Sequence, residues 1–165
     1  MGYRYYNTFG VKTSFPFGYG LSYTSFAYSN LKLSSSTFKG SVLASVTITN
    51  KGKVAGKEVV QLYLSAPVKN TDKPVQELKV FAKTGLLKPG ASQTISFTLY
   101  ANDLASFNTA QTAWVADAGN YTVKIGASSE DIKLAKAFNL ENDMVAEKVH
   151  KALVPQVQIN ELISK

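Results

Sequence analysis

From residue 22 onward the apolar residues recur at every second position rather than on a helical period. Val42, Ala44, Val46 and Ile48 alternate with Leu43, Ser45, Thr47 and Thr49, which predicts a half-buried strand stopping at the turn Asn50-Lys51-Gly52. Val60, Leu62 and Leu64 alternate with Gln61, Tyr63 and Ser65 in a second strand. It ends at Ala66-Pro67, because proline has no N–H to give to a ladder. A shorter candidate follows at Gln76 to Phe81, and the segment around Phe26 to Leu33 is a further one. The turn Lys88-Pro89-Gly90 opens Thr94 to Tyr100, where Ile95, Phe97 and Leu99 share one side. Trp114-Val115, a hairpin turn at Ala118-Gly119-Asn120, and then Tyr121, Val123 and Ile125 supply two more strands. Ile132 to Phe138 closes the series, and Asn102 to Phe107 reads as a single capped helical turn crossing between sheets.

Seven or eight short strands, punctuated by turns and with no helical pattern between them, predict an all-β fold. The architecture is an antiparallel sandwich of immunoglobulin or fibronectin type III kind over residues 22–140. Residues 1–21 form a separate arm, irregular in pattern and dense in rings: Tyr3, Tyr5, Tyr6, Phe9, Phe15, Phe17 and Tyr19, with Pro16, Gly10, Gly18 and Gly20 among them. Each such ring carries roughly 150 to 250 Å² that prefers burial, so the arm must pack on something. In the extension 141–165, Val145, Val149 and Leu153 fall at i, i+4 and i+8 with Pro155 behind them, which predicts a short helix. Val157, Ile159, Leu162 and Ile163 then make an apolar end in need of a partner.

Composition narrows the chemistry. A chain of 165 residues with 45% hydrophobic and 18% charged residues is an ordinary globular domain. At that length folding hides roughly two-thirds of the unfolded surface without help from metal or disulfide. The absence of cysteine removes disulfide scaffolds, zinc knuckles and thiol catalysis together. No apolar run is long enough to span a bilayer and the first residues lack a signal-peptide core, so neither a membrane nor a targeting role is expected of this sequence. The net charge of +7 rests on lysines and one arginine, Arg4. Specific phosphate or base readout leans on the arginine fork. The middle-third cluster of Lys51, Lys53, Lys57, Lys69, Lys73, Lys79, Lys83 and Lys88 therefore reads as a solvated face rather than a nucleic-acid site.

Candidate catalytic sets do not assemble. Asp72, Asp117, Glu130 and Asp131 fall at predicted turns, where acids serve local hydrogen bonds, and Glu58 and Glu77 fall on strands where cross-strand lysines can pair with them. The one histidine, His150, lies in the tail away from any serine or acid cluster. Gly52-Lys53-Val54-Ala55-Gly56-Lys57-Glu58 has three residues where a phosphate loop has four, and Glu58 where magnesium needs a hydroxyl. Gly18-Tyr19-Gly20 lacks the third glycine of a dinucleotide loop. Asn120-Tyr121-Thr122 fits a glycosylation acceptor but sits at a predicted hairpin. No catalytic residue, metal ligand or cofactor is expected. The aromatic arm keeps two readings, contact with a neighbouring domain or stacking on a sugar through Tyr3, Tyr5, Tyr6 or Tyr63.

The order of motifs resembles a known family. Gly2-Tyr3-Arg4-Tyr5-Tyr6 and Phe15-Pro16-Phe17-Gly18-Tyr19-Gly20-Leu21-Ser22-Tyr23-Thr24 are similar to the junction between the second catalytic domain and the C-terminal fibronectin type III-like domain of family 3 glycoside hydrolases, the β-glucosidase and β-xylosidase type. The resemblance continues through Gly56 to Leu64, Pro74 to Lys79, Leu87 to Gly90, Gly119 to Val123 and Gly126 to Ile132, and covers roughly residues 2 to 140. It implies a non-catalytic accessory domain of a retaining exo-β-glycosidase that hydrolyses O-glycosidic bonds. The family's aspartate nucleophile and glutamate acid/base lie in upstream domains of the same polypeptide, so no catalytic residue carries over. It also implies interdomain contacts at Tyr3, Arg4, Tyr5, Tyr6, Phe15, Phe17 and Tyr19, a weak oligosaccharide as the alternative partner, a monomeric fragment, and a periplasmic or secreted parent.

Overall fold

The computed structural model describes residues 2–69, 73–150, 155–157 and 159. Among these described residues, ten strands and two short helices follow in the order α1 (Tyr3–Thr8), β1 (Phe26–Leu33), β2 (Ser41–Asn50), β3 (Val59–Ser65), β4 (Glu77–Lys83), β5 (Ser92–Tyr100), α2 (Ala101–Leu104), β6 (Ser106–Asn108), β7 (Ala113–Ala116), β8 (Gly119–Gly126), β9 (Ile132–Leu140) and β10 (Met144–Lys148). Two antiparallel sheets, ordered β1-β2-β5 and β4-β3-β8-β9, face each other as a seven-stranded sandwich. The third sheet, β10-β7-β6, is a small ribbon whose β6 and β7 come between the fifth and sixth sandwich strands in chain order and whose β10 follows the seventh.

The period-two pattern does the work expected of it. Val42, Ala44, Val46 and Ile48 of β2, Ile95, Phe97 and Leu99 of β5, Val60, Leu62 and Leu64 of β3, and Tyr121, Val123 and Ile125 of β8 all point inward into one core. Burying each of the Val, Leu, Ile and Phe side chains contributes about 1.5–3 kcal/mol, so the alternation holds the two sheets face to face. At the sandwich corner the Tyr121 hydroxyl donates to the Asp117 carbonyl at 2.8 Å, a bond that fixes the entry of β8. The Lys73 ammonium meets the Asp117 carboxylate at 2.7 Å with both side chains buried, pinning the end of the loop between β3 and β4 to the same corner.

Buried Asn50, at the end of β2, fixes where the arm enters the sandwich. Its amide donates to the carbonyls of Val54 and Leu87, both at 2.8 Å. Its side-chain oxygen accepts from the Thr24 hydroxyl at 2.7 Å and from the Gly52 N–H at 3.0 Å. A Cβ at Gly52 would collide with Thr24, so this approach demands glycine.

The fold corrects four expectations. Trp114 and Tyr121 do not lie on one hairpin, because β7 pairs with β6 and β10 while β8 pairs with β3 and β9. Ala118 is the linker, and Gly119, at φ 140°, already belongs to β8. The extension does not start as a helix: Met144–Lys148 is strand β10, with Met144 opposite Ala116 and Lys148 opposite Ala113. The i, i+4 spacing of Val145 and Val149 is too short to sustain a helix alone, and the open edge of β7 offers ladder bonds instead. Asp143 anchors the turn into β10 by accepting the Ala118 N–H at 2.6 Å. Leu153, the third point of the expected helical period, lies outside the described residues, as do Leu162, Ile163 and Asp72.

The third correction concerns the arm, which is not irregular throughout. Its first turn is helix α1, six residues with no side-chain cap and no acidic residue near its start. So short a helix has no stability of its own, and its conformation is held by what it docks on. The fourth concerns Glu58, whose partner is no cross-strand lysine but the Tyr28 hydroxyl, at 2.6 Å.

Candidate interdomain docking surface

The outward face of the β4-β3-β8-β9 sheet would stand in water in a bare sandwich. Here β3 is buried on both faces, because the arm covers the outward residues Gln61 and Tyr63. Tyr3 stacks on Phe17 with ring centroids 4.5 Å apart and 18° between planes, and meets Tyr63 edge-on at 6.1 Å. The Tyr63 hydroxyl donates to the Gln61 side-chain oxygen at 2.5 Å. The Gln61 amide in turn donates to the carbonyls of Gly18 at 3.2 Å and Ala127 at 2.7 Å. Gly18 sits at φ 79°, and a Cβ there would run into the Gln61 side chain, so the seat needs glycine for conformation and for space.

Polar contacts complete the seat. The Ser129 N–H donates to the Phe17 carbonyl at 2.8 Å, and the Asn7 amide donates to the Ser129 carbonyl at 3.3 Å. The Val75 N–H donates to the Thr8 hydroxyl at 3.1 Å. Arg4 forms an ion pair with Glu77, which also accepts from Lys79. Burial, with Tyr3 nearby, pushes the Tyr63 phenol far above its ordinary range, so that hydroxyl stays protonated as the donor to Gln61.

The arm's other side is bare. Phe15 is 70% exposed, Leu21 89% and Tyr23 fully, with Phe17 and Tyr19 half-exposed beside them. Phe15 and Tyr19 lie against each other at 5.4 Å, and with Phe17, Leu21 and Tyr23 they form a ridge of exposed apolar residues at alternate positions from 15 to 23. Between that ridge and the sheet runs an open groove of about 450 Å³, walled by Phe17, Tyr19 and Leu21 and floored by Val59, Leu78 and Phe81. Lys57 and Lys83 stand on its rim.

The expected site residues thus separate into groups. Tyr3, Phe17 and Tyr63 converge on the seat, Arg4 binds Glu77, and Phe15 and Tyr19 belong to the ridge. Tyr5 packs on Phe9 at 4.6 Å and edge-on to Tyr6 at 5.7 Å, away from the ridge contacts. Tyr63 is fully buried beneath the arm and offers no face to a sugar, which corrects its place among possible sugar contacts. Tyr5 and Tyr6, consecutive on α1, differ by about 100° in direction and make no common flat platform with Tyr3. Sequence reasoning missed Gln61, Leu78, Phe81 and Ser129. The available signal was the outward parity of Gln61 and Tyr63, two bulky side chains on a strand face that a solvated sandwich fills with small polar ones. Among the described residues no three His, Asp or Glu side chains are grouped to hold a metal, and no helix is long and apolar enough to cross a membrane.

Two facing sheets with a tyrosine-fixed corner define a fibronectin type III-like sandwich, here with a docked aromatic arm. A family model described as Fibronectin type III-like domain matches residues 58–129. β-Glucosidase A of Butyrivibrio fibrisolvens is 39% identical over 176 residues, covering 94% of this chain and 21% of that protein. Thermostable β-glucosidase B of Acetivibrio thermocellus is 36% identical over 166 residues, covering 99% and 22%. β-Glucosidase 3B from Thermotoga neapolitana, solved in complex with glucose, superposes with a TM-score of 0.84 at 47% identity over 89% of this chain and 20% of that one. The family 3 β-glucosidase of Bifidobacterium adolescentis gives 0.81 at 35% identity over 86% and 21%. The chain belongs to the fibronectin type III-like domains of family 3 glycoside hydrolases, and spans about a fifth of the length of the relatives it matches.

Proposed function

We propose that this domain works without chemistry of its own, by bracing the catalytic domains of a β-glucosidase-type hydrolase that precede it in one polypeptide. The ridge Phe15-Phe17-Tyr19-Leu21-Tyr23 carries the reading. The seated arm anchors the ridge at Phe17 and leaves Phe15, Tyr19, Leu21 and Tyr23 as apolar surface that a lone domain has no use for. The relatives support the partner, since each is a β-glucosidase in which the matching part is about a fifth of the whole. In such a polypeptide the reacting carboxylates belong to the other four-fifths, and the domain's contribution is stability of the assembly. A periplasmic or secreted setting suits that parent.

The test is a ridge variant, Phe15→Ser with Leu21→Ser and Tyr23→Ser, in the full hydrolase polypeptide. The expected result is a melting temperature lower by several degrees, at about 2–4 °C per kcal/mol for domains of this size, with kcat on an aryl β-glucoside nearly unchanged in the cold. An unchanged melting temperature would sink the proposal.

A further inference from the structure

Resting on the bracing reading, we infer that the groove between the arm and β4 receives an extended, acidic segment of the catalytic portion, with an apolar side chain on the floor and carboxylates on Lys57 and Lys83. The floor decides against a sugar. A sugar needs free donors and acceptors, yet the Gln61 amide is spent on Gly18 and Ala127 and its oxygen on Tyr63. What remains of the floor is Val59, Leu78 and Phe81, which suit a hydrocarbon side chain, while the groove's other polar side chains are Tyr19, Ser22, Glu58 and the two lysines.

The rim sets the charge. Lys83 stands opposite Val59 in the β3–β4 ladder, and Lys57 shares the outward side of the chain leading into β3. Both are exposed, and neither has a carboxylate partner among the described residues, unlike Lys69, Lys73, Lys79 and Lys133. The acid lining the groove, Glu58, accepts the Tyr28 hydroxyl on one oxygen, and the two lysines outnumber it. The groove is therefore apolar at its base and cationic at its mouth, within a chain of net charge +7.

The edge sets the shape. β4 is the outermost strand of its sheet, and the Thr84 N–H that continues it donates inward to the Glu58 carbonyl. By alternation the backbone groups of Phe81 and Lys83 face outward, open to an added strand.

Lysine acylation of the unmodified polypeptide tests this. In the full hydrolase Lys57 and Lys83 should react roughly tenfold more slowly than in the isolated chain, the factor expected of a contact populated about nine-tenths of the time. Salt on the order of 1 M, where screening acts within about 3 Å, should restore the rate. Zero-length carbodiimide coupling should join these lysines to Asp or Glu of one catalytic-domain peptide, and Lys57→Gln with Lys83→Gln should abolish those products. Equal reactivity in both contexts overturns the inference. If radical footprinting then finds Phe15, Leu21 and Tyr23 protected, bracing stands and only the groove's occupant falls; if the ridge is open as well, both fall. Protection of the lysines in the isolated chain by cellobiose or soluble β-glucan would also overturn it, in favour of a sugar.

Discussion

The Tyr3 hydroxyl accepts the Leu78 backbone N–H at 2.6 Å, across 75 residues of chain. The bond falls where β4 is bulged, since Leu62 faces Val80 but Tyr63 faces Leu78, leaving Lys79 over. A bulge strands backbone groups that the ladder no longer satisfies, and the arm supplies an acceptor for one of them. Tyr3→Phe keeps the stack on Phe17 and removes only that acceptor. The expected loss is about 1 kcal/mol in urea denaturation of the isolated chain, with faster amide exchange at Leu78. Unaltered exchange there would show that the bond does not hold the arm.

Lys73 and Asp117 make a second long-range tie, and its burial sets the expected asymmetry. Lys73→Met leaves the Asp117 carboxylate uncompensated in the interior and should cost about 3–5 kcal/mol. Lys73→Met with Asp117→Leu removes both charges and should regain most of that loss, because the desolvation cost disappears with the pair. A double variant as unstable as the single one would mean that the corner depends on the ion pair for its geometry.

Glu58 gives the fold a pH dependence of definite sign. Burial holds its carboxyl above the ordinary range, while the Tyr28 hydroxyl donating to it pulls partly back. A carboxyl with a higher pKa folded than unfolded binds its proton more tightly in the fold. The fold therefore gains stability from this group as pH falls through the folded value toward the unfolded one, and is penalised above it. Glu58→Gln retains an acceptor for Tyr28 and cannot titrate. Relative to the parent it should be more stable at about pH 7, with the advantage vanishing by about pH 4, near the unfolded carboxylate value. Urea midpoints measured in parallel across that range check it, and an advantage constant with pH would remove burial as the cause.

Much of the sandwich was legible because its strands are half-buried and repeat locally: Val42 to Thr49 and Tyr121 to Ile125 each carry their own alternation. The seat was legible only as the bulky outward parity of Gln61 and Tyr63, because Gln61 finds its partners 43 and 66 residues away, and no local period encodes what will cover that face of β3. Val145 and Val149 misled for the same reason. Their spacing suits a helix, and what makes Met144–Lys148 a strand is the unpaired edge of β7, a property of the assembled ribbon. The ridge was legible as excess aromatic surface, but only the structure divides it into rings that hold the arm and rings that face outward.

Phe17 lies on that division. One of its faces stacks on Tyr3, yet 46% of the residue remains exposed. In the isolated chain Phe17→Ala removes the stack, worth about 0.5–1.5 kcal/mol beyond the area it hides. If the proposed bracing covers the other face in the full hydrolase, truncation there should approach the roughly 3–5 kcal/mol of a buried phenylalanine. Tyr23, fully exposed, supplies the control: Tyr23→Ser removes no packing from the isolated chain, so any loss it causes in the longer polypeptide comes from the neighbouring domain. Denaturation of both variants in both contexts reads the difference directly. A Phe17→Ala loss of the same size in each, with Tyr23→Ser silent in each, would confine the arm's role to the sandwich it sits on.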